Sequence, residues 1–404
     1  MELKKYKIGD LVQVTRGASL GGEFYATQGN YVRLTCGNFD YRNNCFKENQ
    51  SKDNIYYTGG FKEEFLLEKG DIITPLTEQA IGLLGSTARI PESGKYIQSQ
   101  DIAKIDCNES LLDKDFAFYL ISSAFVKQQL SAAAQQTKIR HTSPDKIKEC
   151  TVWIPSLDIQ KRIGRILTDI DNKIAINRQI NDNLEAMAKQ LYDYWFVQFD
   201  FPNKEGKPYK SSGGAMVYNE KLKREIPQGW NISQIKDFMR IFTGKKDVSK
   251  AVPGNYKFFS CAPEPITSNE YIYDGYAVLV SGNGSYTGRV GFYKGKFDLY
   301  QRTYACVLDK EVRNISFFYY TLRYLFQPIY SGGKHGSSIP YIVLGDLADF
   351  RFVFNEMVCN KFVDIVTPMF DEQLLRLQEI EELTKQRDEL LPLLMNGQAS
   401  VNSD

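Results

Sequence analysis

Between Asp158 and Val197, apolar residues recur at alternating spacings of three and four positions. This pattern is typical of a long helix whose a and d positions pack against a partner helix. With a rise of about 1.5 Å per residue, a helix of about 40 residues is about 60 Å long. We therefore predict a long helix over residues 158–200. Its predicted seam consists of Ile163, Ile166, Ile170, Ile174, the polar Asn177, Ile180, Leu184, Met187, Leu191 and Tyr194.

The same pattern returns 200 residues later in the chain. Asn355 is a candidate N-cap there, and Asn396 with Gly397 provides a C-terminal stop. Pro368 would cost about 3 kcal/mol or bend a helix that runs through it. We predict a second long helix over residues 358–397 that pairs with the first in antiparallel orientation, with two unrelated amphipathic helices as the alternative. The matching seam consists of Val363, Val366, Phe370, Leu374, Leu377, Ile380, Thr384, Arg387, Leu391 and Leu394.

The segment before the first long helix combines strand-like and helical patterns. Polar and apolar residues alternate in KIGDLVQVTRG, which predicts a strand, and a helical period runs from Asp115 to Ala134 before a last strand, CTVWIP. Residues 1–157 are therefore predicted to form a globular α+β domain. Its other strand candidates, separated by Gly, Asn, Asp and Ser turns, are Tyr31–Thr35, Asp71–Thr74, Gly82–Leu84 and Ile102–Ile105.

The segment before the second long helix repeats this order. Ile235, Asp237, Met239, Ile241 and Gly244 match residues that lie 227 positions earlier. A helix recurs as ISFFYYTLRYLFQPIY and a last strand as FRFVF, now at an offset of 200 that continues through the long helix. This extension of the repeat beyond the helices favours duplication over two unrelated helices. The strand candidates here are Ala277–Val280, Arg289–Tyr293 and Thr303–Leu308.

The predicted fold class is therefore α+β, with two similar globular domains separated by two long antiparallel helices that form a coiled-coil spacer. This arrangement would give one chain an approximate two-fold internal repeat. The predicted domain bounds are 1–157 for the first globular domain, 158–200 for the first long helix, 201–229 for a linker, 230–357 for the second globular domain, 358–397 for the second long helix and 398–404 for a tail.

Charge is unevenly distributed along the 404 residues, although the formal net charge is only +1. Residues 1–157 carry 19 basic and 19 acidic side chains, residues 201–357 carry 21 and 14, and residues 358–404 carry 4 and 9. A basic globular segment beside an acidic helix suits a polyanionic partner for one surface. Chance segregation in a neutral protein is the alternative.

The chain shows no pattern of a membrane or secreted protein. No apolar run approaches the roughly 18 residues of a membrane span, and the start, MELKKYKIGD, lacks the apolar stretch of a signal peptide. The seven cysteines contain no CxxC pair. We therefore expect reduced thiols, a cytoplasmic location and neither a disulfide framework nor a zinc site.

Motifs for chemistry are weak in this sequence. An adenine methyltransferase would need an Asn/Asp-Pro-Pro-aromatic motif, which is absent, and the glycines of SGNGSYTGRVG fit neither a dinucleotide loop nor a P-loop. His141 with Ser143 and Asp145 could suggest a catalytic triad, but all three lie on one short loop. A DNA-facing loop, or a solvated turn that caps a short helix, explains these residues better.

Three stretches resemble the specificity subunits of type I restriction–modification systems: KRIGRILTDIDNKIAINRQINDNLEAMAKQLYDYWF, YDYWFVQFDFPNKEGKPYKSSGGAMV and EIPQGW. The resemblance covers essentially the whole chain. It implies that each globular domain is a target-recognition domain for one half of a bipartite sequence in double-stranded DNA. It also implies that the helices set the spacing and dock two methyltransferase subunits, joined by restriction subunits where the system has them.

The resemblance assigns catalysis and cofactors to other chains. S-adenosylmethionine is expected in the methyltransferase partner, ATP and magnesium in the restriction partner, and no cofactor in this chain. Two alternatives stay open: a coiled-coil adaptor that never meets nucleic acid, and a self-contained restriction or methylation enzyme.

Candidate DNA contacts are polar loop residues, because Arg and Lys neutralise phosphates while Arg, Asn and Gln can pair with base edges. Candidate partner contacts lie on the helix flanks that a coiled-coil seam leaves open. The DNA candidates are Arg33, Asn38, Arg89, Lys138, Arg140, His141, Lys245, Lys246, Tyr286, Arg289, Arg302, Lys334, His335 and Ser337. The partner candidates are Arg178, Asn181, Lys189, Tyr192, Trp195, Glu379, Glu382 and Gln386.

Overall fold

The computed structural model of the protein describes residues 2–41, 43–50, 53–78, 82–133, 140–310, 312–336 and 338–399, without the side chains of residues 140 and 312. The chain divides into two compact units. Unit 1 consists of Met1–Ile176 and Glu379–Asp404, and unit 2 of Asn177–Gln378. Each unit therefore combines one predicted globular domain with parts of both long helices, so the division falls inside the helices rather than at their ends.

Unit 1 contains short strands and helices followed by the first long helix, which continues into unit 2. The strands are β1 Lys4–Lys7, β2 Val12–Arg16, β3 Tyr25–Ala26, β4 Tyr31–Arg33, β5 Phe39–Asp40, β6 Cys45–Phe46, β7 Tyr56–Tyr57, β8 Ile72–Pro75, β9 Thr77–Glu78, β10 Ala88–Arg89, β11 Tyr96–Ile97, β12 Ile102–Cys107, β13 Arg140–His141 and β14 Thr151–Ile154. The helices are α1 Ile8–Leu11, α2 Lys114–Ile121, α3 Ala124–Ala133, α4 Pro144–Glu149 and α5 Leu157–Tyr192, with 3-10 turns at Gly22–Phe24, Cys36–Asn38 and Glu63–Phe65.

Two four-stranded sheets organise unit 1, in the orders β10–β8–β12–β2 and β11–β4–β7–β3. The antiparallel pair β1–β14 joins the start of the chain to the strand that precedes α5. One hydrophobic core contains Phe116 of α2, Ile163 and Leu167 of α5, and Leu394 and Met395 near the end of the chain. Residues from both ends of the sequence therefore complete the core of unit 1.

Unit 2 contains a larger sheet and the second long helix, which ends in unit 1. The strands are β15 Met216–Asn219, β16 Arg224–Pro227, β17 Asn231–Gln234, β18 Arg240–Thr243, β19 Tyr256–Phe259, β20 Ile266–Ser268, β21 Tyr273–Ser281, β22 Val290–Leu299, β23 Thr303–Val307 and β24 Arg351–Phe354. The helices are α6 Ile315–Thr321, α7 Gln327–Tyr330, α8 Leu344–Ala348 and α9 Glu356–Met395, with 3-10 turns at Ile235–Asp237, Val248–Lys250 and Val312–Asn314, and π-helical turns at Asp193–Val197 and Leu322–Phe326.

The sheet of unit 2 has the order β18–β23–β21–β22–β19–β20, in which β19 and β22 run parallel and the other neighbours antiparallel. Its core is strongly aromatic. Phe196 lies 5.0 Å from Phe317 and 5.2 Å from Phe362 between ring centroids, in edge-to-face geometry. Edge-to-face pairs at such distances add to the gain from burial.

Corresponding strands pair in the same register in the two units. In unit 1, Lys4 lies opposite Ile154, and Arg16 lies opposite Ala103. In unit 2, the corresponding opposite residues are Asn231 with Phe354, and Thr243 with Tyr304. The strands that open and close each globular part are therefore related by the offsets of 227 and about 200 found in the sequence.

The two long helices run antiparallel within each unit. In unit 1, Asp171 of α5 pairs with Arg387 of α9 at 2.9 Å, and Lys173 pairs with Glu379 at 2.5 Å. In unit 2, the side-chain amide of Gln373 donates to the carbonyl oxygen of Asn181 at 3.2 Å. Later residues of α5 thus meet earlier residues of α9.

Helix α9 begins as the sequence predicts. The Asn355 side chain accepts a hydrogen bond from the backbone N–H of Val358 at 3.1 Å, the interaction of an N-cap. Pro368 does not interrupt α9. Because Pro368 is exposed, water can satisfy the carbonyl group that its missing N–H leaves free.

The predicted seam was wrong toward the end of α5. Met187 and Tyr194 are 53% and 37% exposed, whereas Ala188, Tyr192 and Trp195 are buried. The buried stripe has moved by one residue because a straight helix has 3.6 rather than 3.5 residues per turn. Leu377 of α9, another predicted seam residue, is exposed as well.

Three predicted elements of unit 1 were also wrong. The strand predicted in KIGDLVQVTRG is interrupted by the helical turn α1 at Ile8–Leu11, and only Val12–Arg16 continue as β2. Residues Gly82–Leu84 form no strand, because all three backbone N–H groups donate to the Glu78 carboxylate at 3.0–3.2 Å instead of to a neighbouring strand. The helix predicted over Asp115–Ala134 is interrupted after Ile121, where the Ser122 hydroxyl donates to the carbonyl oxygen of Phe118 at 3.0 Å.

Candidate nucleic-acid interface

Four loops of unit 2 are tied together by backbone hydrogen bonds. We call residues 244–246, 282–289 and 300–302, together with the fourth loop as described over 333–336 and 338–342, the unit 2 loop cluster. The N–H of Gly282 donates to the carbonyl oxygen of Arg302, and the N–H of Ile342 donates to that of Gly282, each at 2.9 Å. The N–H of Gln301 donates to the carbonyl oxygen of Lys246 at 3.0 Å. The loops therefore hold their backbones in one fixed arrangement.

Several predicted DNA contacts lie on this cluster with their side chains in solvent. Lys245, Arg302 and Lys334 are exposed, and Tyr286 is 48% exposed. The Lys334 ammonium donates to the Tyr330 hydroxyl at 3.2 Å and lies over its ring. Positive side chains on one group of loops are what a phosphate backbone requires.

Two other predicted contacts are engaged inside unit 2. The Lys246 ammonium pairs with the buried carboxylate of Asp298 at 3.0 Å and with Glu270. The Arg289 guanidinium donates to the carbonyl oxygen of Ala262 at 2.6 Å, and burial lowers its pKa. These two cations hold loops in place, which leaves less of their charge for a partner.

His335 forms a further anchor of the cluster. Its Nε2 lies 3.1 Å from an oxygen of Asp346, and its ring stacks on Tyr341. The backbones of His335 and Tyr341 also form a bridge. Ser337 lies outside the described residues.

A cavity of about 390 Å³ opens within the unit 2 loop cluster. Its lining combines the backbone of three loops with polar side chains. The lining residues that belong to the cluster or flank it are Thr243, Gly282, Gln301, Arg302, Ile342 and Leu344.

Unit 1 contains a corresponding set of loops. We call residues 17–18, 76–78, 98–101 and 140–142 the unit 1 loop cluster. The N–H of Ala18 donates to the carbonyl oxygen of Gln98 at 2.9 Å, and the N–H of Leu76 donates to that of Asp101 at 2.8 Å. The N–H of Thr142 donates to the carbonyl oxygen of Leu76 at 2.8 Å. The two units thus use the same kind of backbone ties.

The predicted DNA contacts of unit 1 differ in exposure and in their partners within the unit. His141 is exposed, and Arg140 lies beside it on β13, opposite Glu78. Arg89 is half-buried and pairs with Asp115 at 2.7 Å. Lys138 lies outside the described residues.

Arg33 and Asn38 lie inside unit 1. Asn38 is 1% exposed, and its side chain bonds to the backbone of Thr35 and Lys47. The buried Arg33 guanidinium donates to the carbonyl oxygen of Asn54 at 3.1 Å and lies over the Tyr25 ring. Both side chains serve packing within the unit in this structure.

Sequence reasoning missed two exposed glutamines on the clusters, Gln100 and Gln301. They occupy matching turns, which SQD in unit 1 and YQR in unit 2 encode at an offset of 201. That offset is detectable in the sequence once the strands are aligned, whereas a search for charged residues passes over both positions.

The partner candidates on the helices fall into exposed and buried groups. Lys189, Glu382 and Gln386 are exposed, and Glu379 pairs with Lys173. Arg178 and Asn181 are half-buried. Tyr192 and Trp195 are buried in the aromatic core of unit 2, where the Tyr192 hydroxyl donates to that of Thr321 at 3.0 Å.

An apolar groove lies on the helices of unit 2, with a volume of about 840 Å³. Met187 and Tyr194 of the α5 region and Ile365 of α9 line it and are exposed. Lys189 and Asp193 lie at the same groove and pair with each other at 2.5 Å. Adjacent exposed apolar side chains with polar neighbours are typical of protein-binding surfaces.

Within the described residues, no group of three His, Cys, Asp or Glu side chains could hold a metal ion. No helix of the described part is long and apolar enough to cross a membrane. The seven cysteines are all free thiols.

Comparison with known proteins gave consistent matches. The family model for the type I restriction modification DNA specificity domain matches residues 1–186 and 227–354. The MjaIX specificity subunit of Methanocaldococcus jannaschii is 24% identical over 354 residues, which are 79% of this chain and 78% of that subunit. The EcoDI specificity subunit of Escherichia coli is 32% identical over 180 residues, 43% of this chain and 39% of that subunit.

A solved structure supports the fold. The type I restriction–modification S subunit from M. genitalium matches with a TM-score of 0.60 and 17% sequence identity, covering 98% of this chain and 96% of that chain. At this identity, the match concerns the fold alone.

Proposed function

Because the chain belongs to the type I restriction modification DNA specificity family, we propose that it is the non-catalytic DNA-recognition subunit of such a system. In this proposal, each unit reads one half of a bipartite target in double-stranded DNA. One observation carries the proposal: the family model matches the chain in two stretches, 1–186 and 227–354, and each stretch contributes one loop cluster with the same backbone ties.

The loop clusters are the proposed DNA-contacting surfaces. In unit 2, Lys245, Arg302, Lys334 and Tyr286 would contact DNA directly, while Lys246, Arg289 and His335 hold the loops in position. In unit 1, Arg140 and His141 belong to the corresponding surface, and Arg89 lies on a neighbouring strand. Exposed Lys and Arg side chains supply the phosphate contacts that fix a protein on the duplex.

We further propose that the long helices set the distance between the two readers, as an antiparallel coiled-coil spacer in a pseudo-two-fold repeat. The helix pairing inside each unit supports this role, because ion pairs connect α5 with α9 in unit 1 and hydrogen bonds connect them in unit 2. In domain terms, the readers are residues 1–157 and 230–357, the helices 158–200 and 358–397, the linker 201–229 and the tail 398–404.

The proposed protein partners are two methyltransferase subunits, with restriction subunits in complexes that cleave. The exposed groove of Met187, Tyr194 and Ile365 supports a docking role for the helices. Arg178, Asn181, Lys189, Glu379, Glu382 and Gln386 are the proposed polar contacts, and Tyr192 and Trp195 would act by shaping the helix end from inside. S-adenosylmethionine would belong to the methyltransferase, and ATP with magnesium to the restriction subunit, in the cytoplasm.

A domain exchange tests the proposal. The chain is expressed with its methyltransferase subunits in a host that lacks DNA methylation, and the methylated sites are determined by sequencing. We expect an interrupted motif with two specific halves. Replacing residues 230–357 by the same segment of another specificity subunit should change one half and leave the other intact. A continuous motif, or a motif that the exchange leaves unchanged, would contradict the proposal.

Salt dependence tests the assigned phosphate contacts in the complex with methyltransferase subunits. For Lys245 and Lys334, each change to Ala should reduce the slope of log affinity against log salt by about 1. Lys204→Ala, an exposed lysine outside the cluster, is the matched control. Equal slopes for the cluster and control variants would remove these residues from the interface.

The two alternatives make different predictions. A coiled-coil adaptor would give no DNA-dependent shift of the complex at any salt concentration. A self-contained enzyme would methylate or cleave DNA as the purified chain with magnesium and S-adenosylmethionine, where we expect no turnover.

A further inference from the structure

Both units carry one exposed glutamine at the same place in the fold. In unit 1, Gln100 lies on the turn that leads into β12, and in unit 2, Gln301 lies on the turn that leads into β23. The registers of β12 with β2 and of β23 with β18 show that these turns correspond. The match therefore follows from strand pairing and does not depend on sequence similarity alone.

A parallel backbone bridge connects each turn to the loop that follows β2 in unit 1 or β18 in unit 2. Ala18 forms such a bridge with Ser99 in unit 1, and Lys246 forms one with Tyr300 in unit 2. Two further hydrogen bonds fix the backbone of Gln301 itself and of its neighbour: Gln301 donates to the carbonyl oxygen of Lys246, and Gly282 donates to that of Arg302. The glutamine backbones thus have little freedom left to lose on binding.

Glycine makes this close approach possible in both units. A Cβ at Gly17 would overlap the backbone carbonyls of Gln98 and Ser99, and a Cβ at Gly244 would overlap that of Leu299. Neither glycine has a positive φ, so the close approach, and not the backbone conformation, requires glycine here. The same steric solution in both units indicates that the position of the turn matters.

The glutamine side chains have no structural task in their units. Both are exposed, and among the residues that the structure describes neither side chain forms a hydrogen bond. Gln98, two residues before Gln100, shows the contrast. It is 1% exposed, and its amide donates to the carbonyl oxygens of Thr15 and Ile102 at 2.8 and 3.1 Å.

We propose that Gln100 and Gln301 are equivalent base-reading residues, one for each half of the target, and that each pairs with an adenine in the major groove. This inference rests on the proposed function. A carboxamide offers one donor and one acceptor side by side, which matches N7 and the N6 amino group of adenine. An uncharged carboxamide neutralises no phosphate, so its distinctive contribution from a rigid turn is a pair of hydrogen bonds to a base edge.

The next residue differs between the units, being Asp101 in unit 1 and Arg302 in unit 2. An acidic side chain accepts from the cytosine amino group, whereas arginine pairs with guanine. The two turns would therefore share one base preference and differ in the next one. This arrangement lets a duplicated scaffold read two unlike half-sites.

Methylation profiling of substituted complexes tests the inference. Full-length chains with Gln100→Ala, Gln301→Ala or neither change are expressed with the methyltransferase subunits, and all methylated sites are sequenced. We expect each substitution to relax one A·T position in its own half, with discrimination falling about 5- to 150-fold, the range of one bidentate contact. Gln13→Ala and Gln228→Ala, at exposed glutamines outside the clusters, should leave the motif unchanged.

The possible outcomes separate the two proposals. An unchanged motif in both variants, or equal loss of methylation at all sites without a change in preference, overturns the base-reading role. If the segment exchange alters one half and Gln301→Ala does not, the proposed function stands and only this inference fails. If a variant methylates nothing, binding of the Gln301→Glu complex to duplexes that differ at a single base pair decides. This variant should prefer cytosine to adenine at that position.

Discussion

The last turns of the long helices are packed differently in the two units. At the end of α5 in unit 2, Tyr192, Trp195 and Phe196 are buried among other aromatic rings. The positions 200 residues later, at the end of α9 in unit 1, are Pro392, Met395 and Asn396. Pro392 and Asn396 are exposed, and together with the buried Met395 they line an apolar groove of about 650 Å³ that the half-exposed rings of Phe125 and Trp153 also line.

The difference shows which features the two units share. Strand registers and the glycine-dependent turns are the same in both units, whereas the side chains that fill the core are not. A fold tolerates different core residues if their volume and pattern remain adequate. The backbone therefore carries the common architecture, and packing varies independently in each unit.

The helix–helix contacts differ as well. Unit 1 uses an ion pair between Asp171 and Arg387, to which the Tyr119 hydroxyl adds a hydrogen bond at 2.6 Å. In unit 2, the Gln373 amide of α9 donates to the carbonyl oxygen of Asn181 and to the Glu185 carboxylate of α5, at 3.2 and 3.3 Å. The Tyr324 hydroxyl donates to the same carboxylate at 2.6 Å. Burial of the ring, together with this bond, raises the pKa of Tyr324 well above its ordinary value.

The largest effect is expected for Phe196→Ala in unit 2. Removing a buried ring from between Phe317 and Phe362 should lower the free energy of unfolding by about 3–5 kcal/mol. Urea denaturation followed by tryptophan fluorescence measures this loss, because Trp195 and Trp230 lie beside Phe196.

The matched control is Asn396→Ala, at the equivalent position of unit 1. Asn396 is exposed, so its change should stay within about 0.5 kcal/mol. Equal losses in the two variants would show that the helix ends are packed alike, contrary to the comparison above.

Arg387→Met should have the next largest effect, by leaving the Asp171 carboxylate without its ion pair. Arg387 is only 7% exposed, whereas the Asp171 side chain is 28% exposed, so losing this partly buried pair should cost about 1–3 kcal/mol. Hydrogen exchange of the α5 segment in unit 1 measures the loss. A second change, Asp171→Leu, should recover only part of it, because it removes the unpaired carboxylate but also the acceptor of the buried Tyr119 hydroxyl.

The equivalent position of unit 2 provides the control for this variant. Met187 is exposed, so Met187→Arg should alter the free energy of unfolding by no more than about 0.5 kcal/mol. If Arg387→Met were as neutral, the ion pair would contribute nothing measurable to unit 1.

The smallest effect is expected from filling part of the unit 1 groove with a larger side chain. Ala124 lines it at the position that Tyr324 occupies in unit 2. Ala124→Leu should raise the free energy of unfolding by about 0.5–1 kcal/mol, since it adds apolar contacts with no polar group to bury. Thermal unfolding of the full chain measures the gain, and Ala132→Leu, an exposed site on the same helix, should show none.

Local patterns made much of the fold predictable from the sequence. Both long helices, the N-cap at Asn355 and several central strands follow from periodicity and capping, which depend on neighbouring residues. The seam near Met187 did not, because a small difference in helical repeat accumulates over many turns. Only the packed structure shows which side of the helix is finally buried.

The candidate site was less predictable, because side-chain partners come from distant parts of the chain. Lys246 was selected for its charge, but Asp298 and Glu270 already bind it. Arg33 was selected in the same way, yet it donates to Asn54 inside unit 1. Conversely, uncharged Gln100 and Gln301 attract no attention until the strand registers align their turns.

The core of unit 1 includes Leu394 and Met395, which ribosomes add more than 200 residues after the rest of that core. Unit 2 draws all of its residues from one continuous stretch, Asn177–Gln378. During synthesis, unit 2 can therefore complete its fold first, while the N-terminal part of unit 1 still exposes the apolar surface that Leu394 and Met395 cover later. Unit 1 can therefore complete its core only after Leu394 and Met395 have been made.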